Sequence, residues 1–172
     1  DYISVGALTK NVKAIDLSPT FEDTRRLAGV VTLRLLTGGE GPPVVLLHGR
    51  GHAATMWQPL LPALARHNRV VAIDLPGFGH SSSRPFAGTD PEEALRFFVE
   101  PVEELLVDLG LEDAAIVGHS LGGLLGVELS LRRRVRPRRL VLIGAMGLGP
   151  AMRTLARAFF RAVPERLART LG

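Results

Sequence analysis

The 172-residue chain contains no cysteine, which excludes disulfide staples and thiolate metal ligands and leaves the redox compartment undetermined. No apolar run approaches the ~20 residues that a membrane-crossing helix requires. The start, Asp1-Tyr2-Ile3, lacks both a methionine and the basic-then-apolar pattern of a secretory leader. A cytoplasmic location is therefore expected, and the missing methionine points to a processed or internal start. Lysine is scarce, two against 19 arginines, which reads as compositional bias more than as a binding signal. Neither aspartate nor histidine occurs after Ser120, where the only acids are Glu128 and Glu165. Histidines and acids at metal-ligand spacing are also missing, so no metal or organic cofactor is expected.

What is present describes one domain with a substantial core: 46% of residues are apolar, without internal repeats or a dividing linker. Residues 1–23 show little periodicity and read as an irregular lead-in. Thr24–Ala28 and Val30–Leu36 read as two strands about a turn, with Val31, Leu33 and Leu35 alternating. Val44–Leu47 and Val70–Ile73 are short continuous apolar runs, the pattern of strands buried on both faces of a parallel sheet, and Ala114–Val117 and Leu140–Ile143 are further short apolar runs of strand type. Between them the spacing predicts helices over 55–66, 91–98, 101–109 and 121–133, with Pro101 dividing the middle pair. Asp90, Pro91, Glu92 and Glu93 are helix-start residues. Strands alternating with helices imply an α/β fold, a mostly parallel sheet of about six strands flanked by helices.

In such sheets the reactive loops gather at the strands' C-terminal ends. Three loops fall there: residues 48–52, 74–82 and 118–123. The last, Gly118-His119-Ser120-Leu121-Gly122, is a G-x-S-x-G pentapeptide between a strand and a helix, the pattern of a nucleophile elbow. A sharp turn there lifts the serine oxygen above the start of a helix, whose unpaired amides can receive an oxyanion.

Four ordered blocks carry a resemblance to the α/β-hydrolase superfamily, in particular its lid-bearing serine esterases, lipases, perhydrolases and carbon–carbon bond hydrolases. They are Val44–Gly51, Asp74–Ser81, Gly118–Gly123 and Arg139–Gly144, within a matching region of about residues 24 to 150. The resemblance implies Ser120 as nucleophile and the backbone amides of Arg50 and Leu121 as oxyanion hole. It implies supporting roles for His48, Gly49, Gly118, His119 and Gly122, with neither histidine a base, and a loop-anchoring role for the Asp74 carboxylate. The implied chemistry is attack on a small-molecule ester or related acyl compound, an acyl-enzyme, then hydrolysis.

In that family the catalytic acid and histidine follow the serine; here no histidine or aspartate does, and neither Glu128 nor Glu165 is at the end of a later strand. The chain therefore reads as the N-terminal part of a longer hydrolase, inactive alone, with residues 24–149 a truncated core, 150–172 the start of a helical lid, and the later strands absent. Strand 140–143 is then expected at an uncovered sheet edge, where association can occur. Two rival readings are a rewired dyad using His52 or His80, oriented by Asp74, and a non-catalytic module binding a small ligand. Six arginines between Arg132 and Arg139 read as a solvated turn at a helix C-terminus, without interleaved aromatics, so no nucleic-acid partner is expected. The last helix reads as a lid segment in preference to a membrane-surface helix.

Overall fold

A computed structural model describes residues 21–27, 31–82 and 90–147. The strands are β1 (Phe21–Leu27), β2 (Val31–Gly38), β3 (Pro43–Leu47), β4 (Arg69–Ile73), β5 (Ala115–His119) and β6 (Arg139–Ile143). The helices are α1 (Leu61–Leu64), α2 (Pro91–Asp108) and α3 (Leu121–Leu131). One six-stranded sheet runs in the order β1-β2-β4-β3-β5-β6. β3 pairs in parallel with β4 and β5, and β5 with β6, while β1–β2 and β2–β4 are antiparallel. The lead-in up to residue 20 and the lid segment 150–172 lie outside the described residues; the end of the lead-in, 21–23, belongs to β1.

The apolar runs of β3 and β4 are continuous because both sheet faces are covered there. On one face Val45, Leu47, Val71, Ile73 and Ile116 pack beneath Val99, Val102, Leu105 and Leu106 of α2 and Leu121, Leu125 and Leu129 of α3. On the other, the alternating residues Val44, Leu46, Val70 and Ala72 pack against Ala54, Trp57 and Leu61. Trp57, the only tryptophan, is 3% exposed, and its Nε1 has no hydrogen-bond partner among the described residues.

Two helical expectations are corrected. The helix predicted over 55–66 is a single 3-10 turn, Ala54–Trp57, followed by the short α1. Pro59 and Pro62 withhold the amide hydrogens that one continuous helix would need. The helices predicted either side of Pro101 are instead one, α2, with Pro101 buried inside it. A mid-helix proline costs about 3 kcal/mol, but Val99, Val102, Leu105 and Leu106, fully buried on both sides of it, each contribute about 1.5–3 kcal/mol. Tertiary burial wins. The start of α2 is as expected: the Asp90 carboxylate accepts from the Glu92 amide at 3.3 Å, with Pro91 next.

β6 is the edge strand next to β5, and its Val141, Leu142 and Ile143 are 48%, 36% and 44% exposed. The sheet reverses its direction of growth at β3, with β4 on one side and β5 on the other. In a parallel sheet, that reversal opens a crevice at the strands' C-terminal ends. No helix among the described residues is long and apolar enough to cross a membrane.

Candidate active site

Ser120 sits at the mouth of that crevice, between β5 and α3. Its backbone, at φ 50° and ψ −109°, is the only non-glycine residue at positive φ among the described residues. Such a conformation costs about 1–3 kcal/mol and persists only where neighbours hold it. Here the Ser120 amide donates to the Ile143 carbonyl at 2.9 Å. The Ser120 carbonyl in turn accepts from Leu124 at 3.2 Å and Met146 at 3.0 Å. Close approach completes the turn. A Cβ on Gly118 would lie 2.3 Å from the Gly122 carbonyl oxygen, and one on Gly49 would lie 2.6 Å from His119 Nδ1 and 3.2 Å from Ser120 Cβ. The 48–52 loop is thus pressed against the elbow.

Of the other expected site residues, Leu121 is the first residue of α3, a position whose amide has no intrahelical acceptor. The Gly122 amide is already engaged, donating to His48 O at 3.1 Å. Arg50 follows Gly49 in the same loop, and partial burial pulls its guanidinium below its ordinary range. His119 stands edge-on to His52, ring centroids 6.1 Å apart, with its Nδ1 buried and unpartnered among the described residues. His52 and His80 are exposed.

His48 is fully buried and its ring is committed on both sides. Nδ1 donates to the Gly49 carbonyl at 2.7 Å, and Nε2 accepts from the Leu75 amide at 2.9 Å. Only the neutral ring can do both. Burial, the leading cause, lowers its pKa below the ordinary 6.5. The unfolded chain therefore binds more protons than the folded one below that value, so this contribution to stability is full above pH 6.5 and is lost on acidification. Urea unfolding from neutral pH down into the acid range is expected to show that loss, and a His48→Gln variant to show less of it. An equal slope in both proteins contradicts this account.

Asp74 holds the two outer loops together. Its side chain is wholly buried; Oδ1 accepts from the Ala54 amide at 2.6 Å, and Oδ2 accepts from the His80 amide at 2.9 Å and from Arg34 Nη1 at 3.3 Å. Gly79 is required there, since a Cβ would fall 2.2 Å from Oδ2. Ser81 and Ser82 return the loop to β2: their hydroxyls accept from the Arg34 amide at 2.9 Å and the Thr32 amide at 2.8 Å. Arg34, the buried countercharge, escaped the sequence reading. Its signal was a lone arginine inside the apolar stretch Leu33–Leu36. Among the described residues no group of histidine and acidic side chains could hold a metal ion.

A sequence model of the alpha/beta hydrolase fold matches residues 42–172. The chain belongs to the alpha/beta hydrolase family. Among curated relatives of this alpha/beta hydrolase, 2-hydroxy-6-oxo-2,4-heptadienoate hydrolase of Pseudomonas putida is 38% identical over 125 residues, 71% of this chain and 44% of that protein. The 1-acylglycerol-3-phosphate O-acyltransferase ABHD5 of Sus scrofa is 42% identical over 105 residues, 61% of this chain and 30% of that protein. Among solved structures, a hydrolase from Pseudomonas aeruginosa PA01 matches with a TM-score of 0.67 at 33% identity, covering 87% of this chain and 56% of that one. The alpha/beta hydrolase chain thus spans less than half the length of these curated relatives.

Proposed function

We propose that the chain carries the nucleophile half of a serine hydrolase acting on carboxylic esters or related acyl compounds. The observation that supports this most is the strained Ser120 backbone at the β5–α3 junction, beside an amide without an intrahelical acceptor. In this reading the Ser120 oxygen attacks the acyl carbon while a base takes its proton. The carbonyl oxygen, now negative, receives hydrogen bonds from the Leu121 and Arg50 amides, worth about 3–4 kcal/mol for one such donor. Collapse expels the alcohol, and water then cleaves the acyl-enzyme.

The proton acceptor is proposed to lie outside residues 1–172. Both nitrogens of His48 are occupied. Glu128 faces Arg132 at 3.7 Å on α3, and no aspartate or histidine follows Ser120. By itself this chain is then expected not to turn over esters.

Because the chain has no cysteine, Ser120→Cys creates a single thiol, a nucleophile that ionises without a separate base. Acylation of that thiol by p-nitrophenyl acetate is expected to run at least about tenfold faster than in a Ser130→Cys variant, whose thiol is exposed on α3 away from the elbow. Equal rates would sink the nucleophile assignment and favour the module that only binds a small ligand.

A further inference from the structure

We propose that the pole of the sheet opposite Ser120, formed by the N-terminal ends of the strands, is a docking surface for anionic lipid membranes. The backbone that carries its arginines is anchored. The turn between α3 and β6 is anchored by the fully buried Val135 and by backbone bonds from Arg136 to Glu112 O at 2.7 Å and from Arg138 to Asp113 O at 3.4 Å. Two of its arginines serve that turn: Arg132 bonds Glu103 at 3.1 Å, and Arg138 pairs with Asp113. Arg133, Arg134, Arg136 and Arg139 are exposed and make no ion pair among the described residues.

The strand register extends this charge across the sheet. Arg69 pairs with Pro43, Val44 with Ala115, and Ala115 with Arg139, so Arg69 and Arg139 begin β4 and β6 at the same pole, one residue apart in register and on opposite faces of the sheet. Three strand spacings, about 14 Å, separate the Arg69 and Arg139 backbones. Arg66, just before β4, is exposed beside Arg69. Among the described residues, the acids near the same pole beyond those already paired include Glu22, the second residue of β1, together with Glu40, Glu104, Asp108 and Glu112.

A basic rim alone fits any polyanion. The apolar residue beside it decides for lipid. Leu131, the last residue of α3, is 76% exposed immediately before the arginines. On a nucleic acid that side chain gains nothing, and residues 131–139 hold no aromatic ring for base stacking. At a membrane the leucine enters the headgroup boundary while the guanidinium groups meet lipid phosphates. Docked in this way, the protein turns Ser120 away from the bilayer.

The test is flotation of the 172-residue chain with phosphatidylcholine vesicles, with and without phosphatidylglycerol. Binding is expected only with phosphatidylglycerol and is expected to fall steeply with salt. Replacing Arg133, Arg134, Arg136 and Arg139 together by glutamine is expected to weaken it at least about a hundredfold, and Leu131→Gln about tenfold. Arg96→Gln, on the exposed face of α2, is expected to change nothing, and circular dichroism shows that each variant is folded. No binding to phosphatidylglycerol vesicles, or binding that survives the fourfold replacement, overturns the proposal. So does binding to duplex DNA through the same arginines with Leu131→Gln silent, which makes the pole a nucleic-acid surface.

Discussion

Asp74→Ala is expected to lower the unfolding free energy by about 3–5 kcal/mol, a large part of what holds a domain of this size together. The substitution removes an acceptor from three donors at once. The Arg34 guanidinium, 9% exposed at its side chain, loses the Asp74 carboxylate, and the amides of Ala54 and His80 lose the same acceptor. Each unsatisfied buried amide costs about 1–3 kcal/mol by itself, so relaxation of the loops sets how much of the total survives. Asp74→Asn separates charge from shape. Its Oδ1 still serves Ala54, while its NH2 group opposes His80 and Arg34, so a loss of about half is expected. Urea unfolding of the three proteins checks both values; an Asp74→Ala cost under about 1 kcal/mol would leave the network without the role assigned to it.

Gly122→Ala should be comparably severe, for a steric reason. Its Cβ would meet the Leu47 carbonyl oxygen at 2.2 Å and the His48 oxygen at 2.7 Å. Both are backbone atoms at the end of β3, which is buried from Val44 to Leu47, so the strain cannot be relieved by turning a side chain. Separating α3 from β3 would also lengthen the 3.1 Å bond from the Gly122 amide to His48 O. Helix propensity favours alanine by about 1 kcal/mol, and we expect this to be overwhelmed by a net loss of 4 kcal/mol or more, about the limit for single substitutions. Gly126→Ala is the control on the same helix. Its nearest contact is 2.9 Å from Leu140 Cδ1, the end of a flexible side chain. A change within about 1 kcal/mol is expected there, and equal effects at both positions would refute the steric account.

The contrast between these two sites bears on what a linear sequence discloses. Gly118, Ser120 and Gly122 are a local pattern, and their backbone consequence follows from spacing alone. The same holds for β3 and β4, whose apolar runs show that both faces are covered, and for the Asp90 cap, whereas the equally apolar run of β6 lies exposed at the sheet edge. Asp74 is different. It was expected to anchor a loop, yet its partners come from β2, the 54–57 turn and the 74–82 loop, and Arg34 is 40 residues away. Pattern shows that a charge is misplaced in a strand, but not what neutralises it. The unbroken α2 has the same explanation: local propensity argues for a break at Pro101, and the apolar surface that overrules it is assembled from distant segments. The tautomer of His48 depends on two backbone groups that meet only in the folded chain.

The burial of Trp57 gives the protein an internal optical probe. An indole with no hydrogen-bond partner among the described residues, enclosed by Ala54, Leu61, Val70 and other apolar residues, should emit at short wavelength. As the only tryptophan, it reports without interference. It also stands at the end of the turn whose first amide Asp74 holds. Excitation of this one chromophore therefore reads the loop staple separately from the backbone ellipticity of the whole sheet. A red shift that precedes loss of ellipticity during denaturation would be the signature of that corner of the molecule opening first.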